Sequence, residues 1–204
     1  MDLDSDILLD SPPEDISPKL PATSMEVIPG DSAARALSHA EQSRADVVRY
    51  RKSYKTRPDS AEVCNLLAWT YVMAPPDVRD TNEMLAVAQK AVQLEPQSAL
   101  NQNTLGAAYC RAGRFKEAIA TLEKNARNSA DTYLPFDLYF LAMSWHGLKD
   151  TAKARVYYDW AERWTRMQQD VASDVVDQLQ QLRAEAAGLL GIEGSSTKDR
   201  SVPR

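Results

Sequence analysis

The sequence predicts an all-α fold built from stacked helical hairpins, and three observations carry that expectation. A half-motif recurs along the chain: Leu67-Ala68 followed by Tyr71, Leu105-Gly106 followed by Tyr109, and Leu141-Ala142 followed by Trp145. A second half-motif, opening at Met84, Ala118 and Ala154, lies 17, 13 and 13 residues behind each leucine. The 204 residues include only 7 glycines, few β-branched runs and no alternating stretch of strand type.

The spacings locate the loops. The leucines stand 38 and 36 residues apart, and the second half-motifs 34 and 36. A repeat of 34 accounts for both series if the first hairpin carries four extra residues in its turn, around Ala74-Pro75-Pro76-Asp77, and two more fall between the second and third hairpins. Insertions of this size belong in surface turns. The small residues Ala68, Gly106 and Ala142 let a facing helix approach, with Ala91 and Ala161 doing the same from the other side. Tyr71, Tyr109 and Trp145 are expected to fill the wedge toward the next hairpin, each burying on the order of 150–250 Å².

Taken in order, residues 1–30 hold seven acidic side chains against one lysine, and 5 of the 11 prolines, so the segment is expected to be disordered. Residues 31–58 form a helix or partial repeat, helical from about Ser32 to Lys55, with Pro58 closing it. The three hairpins occupy 59–96, 97–130 and 131–168. Residues 169–190 follow as a terminal capping helix, whose stripe Val175, Leu179, Leu182, Ala186 and Leu189 faces the stack while Asp170, Asp174, Asp177, Gln180, Gln181 and Glu185 face elsewhere. Residues 191–204 are polar and expected to be flexible. Gln102 and Asn125 stand where apolar residues are expected, which predicts a wetter or looser junction between the second and third hairpins.

Composition narrows the function classes. The net charge of −5 divides into −6 on residues 1–30 and +1 on the rest, and the one basic cluster, Arg49 to Arg57, reads as a solvated helix end or a partner for the acidic segment, so nucleic-acid binding is not expected. The two histidines, His39 and His146, have no catalytic motif around them. The two cysteines, Cys64 and Cys110, have no metal-ligand spacing, and the glycines never cluster into a phosphate loop. No catalytic residue, metal or cofactor is therefore expected. The first residues lack the basic and apolar regions of a signal peptide, and the longest apolar stretch, near Leu66 to Ala74, is too short to span a bilayer. These features predict a cytoplasmic protein without membrane association.

Across residues 59–164 the chain resembles the tetratricopeptide repeat family, whose pattern is W-x₂-L-G-x₂-Y, A-x₃-F and a closing proline. Cys64, Leu67, Ala68, Tyr71, Met84, Ala88, Ala91 and Pro96 carry the first repeat. Gln102, Leu105, Gly106, Tyr109, Ala118, Leu122 and Asn125 carry the second, without the proline, and Leu138, Leu141, Ala142, Trp145, Ala154, Tyr158 and Ala161 the third. Asn65 to Trp69, Asn103 to Gly106 and Asp137 to Met143 also resemble bacterial modules of this family that accompany larger regulatory proteins. The resemblance implies a short right-handed α-solenoid of about three hairpins with capping helices at both ends.

It also implies a function and a place for it. In this family a concave face lined by first-helix residues holds a peptide, which here selects Glu62, Asn65, Trp69 and Val72; Leu100, Asn103, Ala107 and Cys110; and Phe136, Tyr139, Met143 and His146. The expected ligand is an extended segment with apolar side chains, held by the Asn65 and Asn103 amides. Trp69 and Phe136 equally suit packing against the extra helices. The positions that grip a terminal carboxylate in chaperone-type relatives hold Asn, Trp, Thr104, Phe136 and Phe140, so that use is not expected. The expectation is a non-enzymatic scaffold binding a protein or peptide. The alternative is a regulatory or structural subunit acting through the acidic segment, with its Asp6-Ile7-Leu8-Leu9-Asp10 motif, or through terminal helices. Trp160 and Trp164 either anchor self-association or lie under the capping helix.

Overall fold

The computed structural model describes residues 39–128, 133–167 and 173–192. Among them are eight α-helices and no strand: α1 (His39–Thr56), α2 (Ala61–Met73), α3 (Thr81–Leu94), α4 (Ala99–Arg111), α5 (Phe115–Asn128), α6 (Leu134–Gly147), α7 (Thr151–Met167) and α8 (Ser173–Leu190). The acidic segment, the expected start of the first helix at Ser32, the two extra residues near 129–132 and the tail from 193 onward lie outside the described residues.

Several helices begin or end for a local chemical reason. The side chains of Ser60, Asp80 and Ser98 accept from the backbone N–H three residues ahead, at Val63, Glu83 and Asn101, and so cap α2, α3 and α4. Asp150 does the same for α7 through Lys153. Helix α4 closes on Gly113 at φ +73°, with the Gly113 and Arg114 amides returning to the Cys110 and Tyr109 carbonyls. Helix α6 uses the same pair of bonds, Lys149 to His146 and Asp150 to Trp145, but the residue in the left-handed conformation is Lys149, at φ +68°.

The helices α2 with α3, α4 with α5 and α6 with α7 pack as hairpins, and each hairpin packs on the next. The turn after α2 spans residues 74–80, seven residues, against three (112–114 and 148–150) after α4 and α6, which is the four-residue insertion read from the spacing. First helices also touch one another, α2 to α4 and α4 to α6, and form an inner layer beneath α3, α5 and α7 in a solenoid-like stack. The close approaches fall at the expected small residues. Ala68, Ala91, Ala142 and Ala161 are fully buried, and a Cβ added to Gly106 would lie 2.4 Å from Leu122 Cδ2 on α5. Tyr71 is fully buried in its wedge, whereas Tyr109 and Trp145 are only half-buried. Helix α1 seals the first hairpin with Val47, Tyr50 and Tyr54, and its Arg51 donates to Glu83 of α3 at 2.6 Å.

Two expectations need correction. Asn125 does not loosen the packing of α5 on α6: it is buried and donates to Asp137 Oδ2 at 2.8 Å, while Asn103 donates to Oδ1 at 2.7 Å. A single carboxyl group thus ties α4, α5 and α6 together. The terminal helix also does more than cap the last hairpin, because α8 packs chiefly against α6 and less against α7, and reaches α2 and α4 through side chains. Its buried stripe is Leu179, Leu182 and Ala186, with Leu189 left 46% exposed, while Gln181 and Glu185, expected to face away, point into the stack. No helix among the described residues is long and apolar enough to cross a membrane.

Candidate functional site

Helix α8 packs on α6, and its side chains reach α2 and α4, so the three first helices offer it one shared inner face, the groove. Three polar side chains, spaced three and four apart on α8, set its register. Gln178 Oε1 accepts from Trp69 Nε1 at 2.8 Å, Gln181 Nε2 donates to the Met73 carbonyl at 3.3 Å, and Glu185 receives both terminal nitrogens of Arg111, Nη2 to Oε2 at 2.8 Å. Between them Leu179 and Leu182 supply the apolar contact, worth about 1.5–3 kcal/mol each when fully buried. On the side toward α7, Glu162 accepts from Tyr139 at 2.8 Å and from Arg183 of α8 at 2.7 Å.

The cationic end of the groove is assembled from two sources. Arg111, the last residue of α4, has a side chain only 7% exposed; it donates to the Val72 carbonyl at 3.0 Å and lies over the Phe140 ring at 5.2 Å. Arg79 comes from the inserted turn and donates to the Tyr71 and Ala74 carbonyls at 3.1 and 2.6 Å, so it closes the C-terminal end of α2 where the helix dipole is negative. Burial, together with the neighbouring Arg111 charge, lowers the Arg79 pKa to about 10, and Glu185 offsets part of that. Two guanidinium groups thus share one nearby carboxylate.

The groove residues expected from sequence do not share one environment. Glu62 and Leu100 are exposed at the starts of their helices. Trp69 is half-buried and stands edge-on to Phe136 and Phe140, with centroids 5.4 and 6.3 Å apart, while its indole N–H meets α8; this is the packing use of the pair. Val72, Ala107, Cys110, Phe136, Tyr139 and Met143 are buried in the core, and burial pushes the Cys110 thiol up to about 11. His146 is half-buried, its Nδ1 enclosed without a hydrogen-bond partner.

The asparagine pair does not form a peptide-backbone clamp. Asn103 is committed to Asp137, and Asn65 is buried with its Oδ1 unpartnered. The ordered occupant is a helix, not an extended strand. Sequence reasoning missed Arg79, Arg111, Gln178, Glu185 and Asp137. Only Asp137 left a signal, as a lone carboxylate inside the otherwise apolar run from Leu134 to Met143. Burial raises its pKa to about 7 against the opposing effect of the two amide donors.

Among the described residues no three His, Cys, Asp or Glu side chains converge as a metal site. The chain matches no protein-family model and no curated protein.

Proposed function

We propose that this chain is a non-enzymatic protein-interaction scaffold of the tetratricopeptide type, acting in the cytoplasm, whose inner groove recognises an amphipathic helix. The observation that carries this reading is α8 itself. It engages the groove through anchors at i, i+3, i+4 and i+7, the mode by which grooves take helical peptides. The recurring half-motifs support the family assignment, and the two buried, unpaired cysteines suit a reducing compartment. The ligand class differs from the extended segment expected at first, because Asn103 is committed to Asp137 and Asn65 is buried.

The test uses the full chain with Leu182→Ser and Glu185→Lys, which loosen α8, and a fluorescent peptide of residues 173–192. Saturable micromolar binding to the variant, and weaker binding to the wild type with its own helix in place, is the expected result. No binding by a variant whose circular dichroism retains the helical signal would refute the helix-in-groove reading.

A further inference from the structure

Resting on that reading, we infer that the groove selects its partner by charge: the ligand is an acidic amphipathic helix of the form Leu-x-x-Leu-x-x-Glu-Ala, and α8 is an internal copy of it. The sequence Leu179, Leu182, Glu185, Ala186 has this form, and each of the four has a defined role in the seated helix. The two leucines and the alanine are buried against the inner layer, and the carboxylate meets Arg111 through two parallel N–H bonds.

Charge decides specificity here because of where the guanidinium sits. Arg111 is held by the Val72 carbonyl and by the face of Phe140, so it stays in place whatever occupies the groove. A buried guanidinium left without a carboxylate is strongly unfavourable, and a planar fork accepts a carboxylate far better than an amide. Arg79 adds a second positive charge fixed on the end of α2. A helix with glutamine at the Glu185 position leaves both charges uncompensated, and one with lysine there adds a third. The same two arginines therefore reject basic and neutral helices that would fit the apolar part of the groove equally well.

Three peptides of residues 173–192 distinguish the outcomes: the native sequence, Glu185→Gln and Glu185→Lys. They are titrated against the loosened full chain, and against the same chain carrying Arg111→Met in addition. The native peptide is expected to bind at least tenfold more tightly than Glu185→Gln, the Glu185→Lys peptide not measurably, and Arg111→Met to shrink the first ratio below about twofold. Equal binding of all three peptides would overturn charge selection while leaving the helix-in-groove reading intact. Absence of binding by every peptide would remove both. Should the double variant fail to fold, the chain with Glu185→Lys alone replaces it, since that change leaves the buried apolar side chains Leu179, Leu182 and Ala186 in place. Dye-labelled wild-type chains that exchange α8 with each other at micromolar concentration would assign the groove to a second copy and overturn assignment to a partner protein.

Discussion

Asp137 offers the sharpest quantitative test of the packing. Its carboxyl group is fully buried and receives one amide N–H on each oxygen, from Asn103 and Asn125. Burial raises its folded pKa to about 7, whereas an aspartate in the unfolded chain titrates near 3.9. Between those values the native state holds the proton more tightly than the unfolded state does. The contribution of Asp137 to stability is therefore greatest below about pH 4, falls as pH rises, and levels off above about pH 7. Three pKa units amount to about 4 kcal/mol in all, with roughly a third of it between pH 6 and pH 8.

Asp137→Asn removes the titration and keeps the shape. The absolute stability of that variant depends on how the two neighbouring amides reorient, so the slope is the informative quantity. Urea unfolding followed by circular dichroism, from pH 4 to pH 8, gives both curves, and subtracting the variant cancels the other carboxylates. The wild type should lose about 4 kcal/mol relative to the variant over that range. Parallel curves would refute the reasoning. A wild type that instead gains stability with pH would show that the two amide donors outweigh burial and that the buried group is a carboxylate throughout.

Three further outcomes follow from particular positions. Lys149→Gly relieves a left-handed backbone at the end of α6 and should stabilise the protein by about 1 kcal/mol in the same unfolding assay, because that conformation disfavours a Cβ. Gly106→Ala should destabilise by roughly 1–3 kcal/mol despite alanine's better helix propensity, since the new methyl meets Leu122 at 2.4 Å, and the same change should cost less in a Leu122→Ala background. Glu185→Gln should speed amide hydrogen exchange across α8 by about tenfold or more while leaving α2 to α5 protected, because it breaks the charge-assisted pair with Arg111. Uniform acceleration throughout the chain would instead mean that α8 is part of one cooperative unit with the stack.

The sequence by itself determined the helices, their pairing and the length of the turns. Those properties are local: a leucine beside a small residue and a count of residues between half-motifs act within one or two turns of helix. The four-residue insertion was legible for that reason, and so was the close approach at Gly106. The register of Leu179, Leu182 and Ala186 on α8 was likewise readable, as a stripe of period 3.6.

Only the tertiary structure decided where that stripe goes. A stripe specifies that a face is buried but not against which partner, so the sequence placed α8 only as a cap at the end of the stack. Its polar residues Gln178, Gln181 and Glu185 settle the placement through partners 109, 108 and 74 positions away in sequence. No periodicity reports a contact at that separation. The same holds for Asp137, whose two amide partners come from different helices: the sequence showed a carboxylate in an apolar run, and only the packing of α4, α5 and α6 shows what makes its burial tolerable.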